Sequence, residues 1–142
     1  MSTVIFCRKC EKRYTGMNIH DAAKILADGK PLDSCPKCHE PRSIRIEQRY
    51  PYPPEKSSKP HKFDVNRVVR LFTDEEAEKQ EPPFDPMMFF MHELDTENDY
   101  IWPIYWTKNR DGDWWWGQFP PMLTIDQLQQ LMKELGYSLI KN

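Results

Sequence analysis

Two Cys-x-x-Cys pairs constrain this chain more than any other feature of its sequence. They are Cys7 with Cys10 and Cys35 with Cys38, and 24 residues separate them. The spacing lets both thiolates of a pair reach one ion, so two pairs complete a tetrahedral four-sulfur site. Such a site has no open position for water, and we expect it to be structural rather than catalytic. Because fewer than about fifty residues hold too little core to fold alone, we expect metal binding to be coupled to folding.

The compartment and the metal follow from the rest of the N-terminal sequence. Arg8 and Lys9 interrupt the first apolar stretch after four residues, and no apolar run has the length of a membrane span. We therefore expect a cytoplasmic protein without a secretory signal or membrane anchor. Thiols stay reduced in that compartment, so paired cysteines indicate metal ligands before disulfides, and Zn²⁺ is the metal we expect. Iron and disulfide bonds are the alternatives.

Residues around the cysteines resemble the zinc-ribbon and rubredoxin-type knuckle proteins. The matching segments are Phe-Cys-Arg-Lys-Cys at 6–10, Tyr14 and Cys-Pro-Lys-Cys at 35–38, and the likeness covers about residues 3–49. It implies a small ribbon domain with the four cysteines as ligands. Rubredoxin-type knuckles usually carry glycine after each second cysteine, where this chain has Glu11 and His39. Their absence, with basic residues around the site, favours structural zinc over an iron centre.

A proline-rich segment divides the chain into parts of opposite charge. Residues 51–60 contain four prolines and two serines, a composition typical of a stiff linker. We expect a zinc ribbon at 1–49, a linker at 50–62 and an acidic, tryptophan-rich α+β domain at 63–142. Residues 1–62 carry 13 Lys and Arg against 7 Asp and Glu, a net charge of +6, whereas residues 63–142 carry 7 against 15, a net charge of -8. This asymmetry indicates different partners, or parts that bind each other.

Capping residues and hydrophobic periodicity predict an α+β fold. Asn18 predicts the N-cap of a short helix inserted in the ribbon, and Thr73 with Glu76 forms a capping box for an acidic helix. A small antiparallel sheet is expected in the second part, followed by a C-terminal helix capped by Thr124. Apolar residues at helical spacing predict the buried stripe of that last helix: Ile125, Leu128, Leu131, Met132 and Leu135.

The second part contains eight aromatic residues between Tyr100 and Phe119. They predict either a small core built from large rings or a surface that anchors a partner. Three consecutive tryptophans in a strand point to both faces, so they cannot all lie in one core layer. Acidic neighbours repel phosphate, so a protein partner is favoured. The candidate partner surface is Trp102, Trp106, Trp114, Trp115 and Trp116.

Basic residues of the first part suggest phosphate contacts. Arg42, Arg45 and Arg49 are predicted to project from one strand face, although Glu47 interrupts the face that Arg45 and Arg49 share. A part with a net charge of +6 is mildly basic, so a solvated surface that offsets the thiolate charge is favoured over nucleic-acid binding.

No sequence pattern supports catalysis. The chain lacks a glycine-rich phosphate loop, a nucleophile elbow and a metal-hydrolase motif. We therefore expect no enzyme but a zinc-binding accessory or adaptor protein that acts through protein–protein interaction in a larger complex. The first alternative is a nucleic-acid-binding zinc-ribbon factor. The second is a rubredoxin-like electron carrier.

Overall fold

The computed structural model describes residues 2–48, 60–117, 123–134 and 136–138. Within these residues the chain forms eight strands and three helices, none of which has the length and apolar character to cross a membrane. In chain order they are β1 Ser2–Cys7, β2 Arg13–Tyr14, α1 Ile19–Ala27, β3 Arg42–Gln48, β4 His61–Arg70, α2 Asp74–Lys79, β5 Phe84–Glu93, β6 Asp99–Lys108, β7 Trp114–Trp116, β8 Leu123–Thr124 and α3 Ile125–Glu134.

All eight strands belong to one antiparallel sheet, which confirms the predicted α+β class. Seven strands lie in the order β2-β1-β3-β4-β5-β6-β7, and β8 pairs with β6. The sheet continues from the first predicted part into the second, because β3 pairs with β4. The paired residues run from Arg45 opposite Asp64 to Gln48 opposite His61. Residues 50–59 of the predicted linker lie outside the described residues. Residues 61 and 62, which the prediction placed in the linker, instead begin β4, where they pair with β3.

One face of the sheet carries the core, and α1 covers it. Burial alternates along β5 and β6, so that Phe89 and Trp102 are fully buried while their neighbours in sequence are not. Ala22 and Ala23 of α1 are fully buried against this face. The predicted N-cap of α1 is confirmed, since the side chain of Asn18 accepts a hydrogen bond from the amide of residue 21 at 3.2 Å.

The last helix, α3, begins as predicted but does not pack as predicted. Thr124 and Gln127 exchange the two hydrogen bonds of a capping box, at 2.9 and 3.1 Å. No described residue of α3 is buried, and Leu131 is 50% exposed. Leu135 lies outside the described residues. The predicted stripe is only half-buried at Ile125, Leu128 and Met132, because α3 contacts β6 and β8 and none of its described residues belongs to the core.

Candidate metal centre

The fold brings the four cysteines together. Their sulfur atoms all lie within 4.8 Å of one another, and the sulfurs of Cys10 and Cys35 are 3.9 Å apart. Four thiolates bound to zinc at about 2.3 Å in a tetrahedron stand about 3.8 Å apart, so the spacing fits one ion. All four cysteines are free, and 3.9 Å is far beyond the disulfide bond length of about 2.05 Å. The predicted ligand set of Cys7, Cys10, Cys35 and Cys38 therefore has the geometry of a metal site.

Two similar loops present the cysteines. Cys7 lies at the end of β1, and Cys35 lies in the segment between α1 and β3. The amide of Glu11 donates to the carbonyl of Cys7 at 2.8 Å, and the amide of His39 donates to that of Cys35 at the same distance. Glu11 and His39 both have a φ of 60°, in the left-handed region that favours glycine. The loops thus adopt a glycine-type backbone although both glycines are replaced.

Tyr14 contacts the centre directly from β2. Its hydroxyl lies 2.8 Å from the sulfur of Cys35, and this hydrogen bond raises the pKa of Tyr14 to about 12. Tyr14 therefore stays protonated and donates to the sulfur. Burial disfavours the charged form of Cys35, but hydrogen bonds from Tyr14 and the backbone outweigh it and lower the pKa of Cys35 to about 6.

The thiols of the centre do not all ionise readily in each other's presence. Burial, followed by hydrogen bonds and charge from Cys10 and Cys7, raises the pKa of Cys38 to about 12. Four thiolates in this small volume require a cation to balance their charge, because like charges at such distances disfavour ionisation. The donor set therefore fits a divalent cation that prefers sulfur ligands.

Removal of the Tyr14 hydroxyl is expected to weaken metal binding. Groups that hydrogen-bond to metal ligands typically change metal affinity 10- to 100-fold, so Tyr14→Phe should bind Zn²⁺ about 10-fold more weakly. Competition with a chromogenic chelator measures this affinity. Tyr137→Phe is the matched control, since Tyr137 is 66% exposed. Equal affinities for Tyr14→Phe and Tyr137→Phe would show that the hydrogen bond to Cys35 does not tune the centre.

The first loop also contacts the second predicted part of the chain. Arg8 donates to the carbonyl of Val65 at 3.1 Å and to the side chain of Asn66 at 3.0 Å. These residues lie at an irregularity in β4, where the register shifts between Val65 and Arg67. Arg8 follows the predicted ligand Cys7, so the geometry of the centre and that of β4 are linked.

The arginines predicted to contact phosphate are placed differently from the prediction. Arg45 is 6% exposed, and its Nε donates to Asp64 at 2.8 Å, so it belongs to a buried ion pair and offers no surface to phosphate. Arg42 lies on the opposite strand face, and its Nε donates to the carbonyl of Asp33 at 2.9 Å. Arg49 lies outside the described residues. Arg42 and Arg45 therefore do not share one basic surface.

The five tryptophans predicted as a partner surface separate into two groups. Trp102 and Trp106 are 0% and 2% exposed and belong to the core, because alternate residues of β6 face α1. Trp116 is half-buried and stacks on Trp106 with ring centroids 3.9 Å apart. Trp114 is also half-buried, whereas Trp115 is 63% exposed. Of the five, Trp115 is the one on the surface.

The sequence reasoning missed a buried charged group beside these tryptophans. Nε2 of His20 lies 2.7 Å from Oδ2 of Asp85, and Arg70 donates to both oxygens of Asp85 at 3.0 and 2.9 Å. His20 is 2% exposed and Asp85 is 0% exposed. Burial works to raise the pKa of Asp85, but hydrogen bonds from His20 and Arg70 outweigh it and hold that pKa below its ordinary value. No local pattern pairs residues 65 positions apart, so the sequence carried no signal for this group.

Comparison with known proteins does not assign the chain. No family model, no curated protein and no solved structure matches it. The metal centre is therefore argued from its spacing, distances and hydrogen bonds.

Proposed function

We propose that this protein is a non-enzymatic, zinc-binding accessory protein that acts by binding another protein within a larger complex. Zinc is favoured at the centre because it suits a four-thiolate donor set and because Glu11 and His39 stand where iron-binding knuckles usually carry glycine. A zinc-loaded protein is colourless, whereas an iron-thiolate protein is red. The absorbance and metal content of the purified protein therefore separate zinc from the electron-carrier alternative.

The observation that carries this proposal is the distribution of exposed apolar side chains. Seven large hydrophobic residues of the described chain are exposed. Five of them lie on the sheet face opposite α1 or directly beside it, and we call this group the outer strip. It consists of Val69, Leu71, Phe84, Met88 and Trp115.

Strand pairing places members of the outer strip on neighbouring strands. Val69 of β4 lies opposite Met88 of β5. Phe84 of β5 and Trp115 of β7 both lie opposite Thr107, because β5 and β7 flank β6. Leu71 continues the strip, since its amide donates to the carbonyl of the β5 residue Pro86 at 3.3 Å.

An exposed apolar strip of this kind is typical of an interaction surface. Monomeric proteins rarely expose contiguous apolar patches larger than a few hundred Å², and larger patches usually mark binding sites. Methionine and aromatic residues, which the strip contains, are enriched at protein interfaces. The buried position of Arg45 removes one of the three contacts on which the nucleic-acid alternative depended.

Placing a charge in the outer strip is expected to abolish partner binding. Leu71 is 72% exposed, so Leu71→Glu should fold normally yet bury an unpaired charge in any complex. Affinity capture from a native extract, quantified by mass spectrometry, should show at least one protein that the wild type retains about ten-fold more than Leu71→Glu. Leu131→Glu is the matched control, since Leu131 is 50% exposed on α3. Identical retention by the wild type and Leu71→Glu would overturn the assignment to the strip.

A further inference from the structure

We infer that β4 carries an open strand edge, and that this edge binds an extended, acidic segment of another protein by strand addition. β4 spans His61–Arg70, yet its pairing with β3 ends at Asp64. Among the described strands, the rest of β4 pairs with β5 alone. The outer strip shares only Val69 with this edge, so the edge is a second surface and does not rest on the proposed function.

The pairing with β3 ends beside a bulge that Arg8 contacts. The register with β5 shifts between Val65 and Arg67, and such a bulge bends a strand and interrupts its ladder. At this point Arg8 donates to the carbonyl of Val65 and to the side chain of Asn66. The open edge is therefore a built feature of the fold and not a frayed strand end.

The register with β5 shows which backbone groups the edge presents. In an antiparallel ladder, the backbone groups of alternate residues point to opposite sides of the strand. The amide of Leu71 donates to a β5 carbonyl at 3.3 Å, so Val69 also bonds to β5. The amide and carbonyl groups of Val68 and Arg70 point away from β5. Within the described ranges, these outward groups have no backbone partner.

The outward groups face a groove large enough for a peptide. The groove has a volume of about 610 Å³ and lies between residues 66–70 of β4 and the end of α1 with the turn that follows it. Five strand residues at about 3.3 Å each give an edge about 16 Å long. An added strand of similar length would pair with this edge through its own backbone, the mode by which many domains bind extended peptides.

The charges of the groove favour an acidic segment. Lys30 and Arg67 line it, both are exposed, and neither forms an ion pair in the part of the chain that the structure describes. Arg70 is instead held by Asp85 and Asp74. No lining residue is Asp or Glu. A second copy of this chain would place the same cations beside each other, which disfavours pairing between identical edges.

The two sides of the groove favour alternating side chains in the bound segment. An added strand turns successive side chains to opposite faces of the sheet. Val68 is buried in the core beneath α1, so Arg67 points to the other face. Leu26 and Pro31 line the groove on the α1 side. The segment that fits has acidic residues on the face of Arg67 and apolar residues on the face of α1.

Amide hydrogen exchange of the full chain, resolved by residue with NMR, tests whether the edge is open. The amides of Val68 and Arg70 should exchange at least about ten-fold faster than that of Val69, which is bonded to β5. Equal protection of all three would overturn the inference, because it would show an edge already paired. Protection that rises with protein concentration would assign the pairing to a second copy and overturn it as well.

An acetylated, amidated heptapeptide of alternating glutamate and valine is the binding probe. Fluorescence anisotropy at about 0.15 M salt should give a Kd below about 1 mM, and binding should protect the amides of Val68 and Arg70. The same peptide with every amide N-methylated keeps its charge but cannot donate hydrogen bonds. It should bind at least about ten-fold more weakly.

Charge reversal locates the peptide in the groove. Lys30→Glu/Arg67→Glu should bind the glutamate–valine peptide at least about ten-fold more weakly and should bind a lysine–valine peptide instead. Arg110→Glu is the matched control, since Arg110 is exposed but does not line the groove, and it should bind as the wild type does.

Three binding results would overturn the inference. The first is no binding of the glutamate–valine peptide up to about 10 mM. The second is equal affinity for this peptide and its N-methylated form, which would show attraction by charge without strand addition. The third is equal affinity of the wild type and the charge-reversed variant. None of these results bears on Leu71→Glu, so the proposed function is tested separately.

Discussion

Replacing Cys7 and Cys10 by serine is expected to unfold residues 2–48 and to destabilise the sheet beyond them. Structural zinc contributes about 10–16 kcal/mol of apparent binding free energy at neutral pH, which matches or exceeds the whole stability of a typical domain, about 5–15 kcal/mol. Loss of two ligands removes most of that contribution. Amide hydrogen exchange read by mass spectrometry should show complete loss of protection in β1, β2 and α1.

The continuous sheet extends the expected effect past the centre. β3 pairs with β4, and Arg8 of the first loop donates to the backbone of β4. Exchange protection should therefore fall in β4 as well, and least in β5 and β6. Lys9→Ser is the matched control, because Lys9 lies in the same loop, is exposed and is not a ligand. A Cys7→Ser/Cys10→Ser protein that stays protected without bound metal would refute the structural role of the centre.

Features encoded over a few residues could be predicted from the sequence. The ligand set was visible because each cysteine pair is local and the two pairs share one spacing. The caps at Asn18, Thr73 and Thr124 were visible for the same reason, since an N-cap side chain bonds to an amide three residues later. These signals do not depend on how distant segments pack.

Features set by long-range pairing could not be predicted. Alternation showed that Trp115 faces away from Trp114 and Trp116, but it did not show which strand face α1 would cover. That choice places Trp102 in the core and Trp115 on the surface. The proline-rich composition of residues 51–60 likewise suggested two separate parts. It did not show that β3 and β4, on either side of this segment, pair with each other.

Asp85→Asn is expected to lower the free energy of unfolding by about 3 kcal/mol at neutral pH. Asp85 is fully buried and accepts two hydrogen bonds from Arg70 and one from His20. Removing one partner of a buried ion pair typically costs about 3–5 kcal/mol. Arg70 keeps the exposed Asp74 as a partner, which places the expected loss at the lower end of that range. Asp74→Asn is the matched control, since Asp74 also pairs with Arg70, at 2.8 Å, but its side chain is 68% exposed. Exposed pairs contribute about 1 kcal/mol or less, so the control should change stability little.

The difference in the free energy of unfolding between the wild type and Asp85→Asn depends on pH, because the pKa of Asp85 is lowered. Burial opposes the charged form, but hydrogen bonds from His20 and Arg70 prevail, so the folded-state pKa lies below that of the unfolded chain, about 3.9. The carboxylate therefore stabilises the fold fully above the unfolded pKa, and this contribution is lost as the pH falls through the folded pKa. Urea denaturation should give a constant gap between the wild type and Asp85→Asn from about pH 7 to about pH 5, narrowing below about pH 4. A gap that instead grows as the pH falls would mean that Asp85 is protonated in the native protein, which would contradict its pairing with Arg70 as a carboxylate.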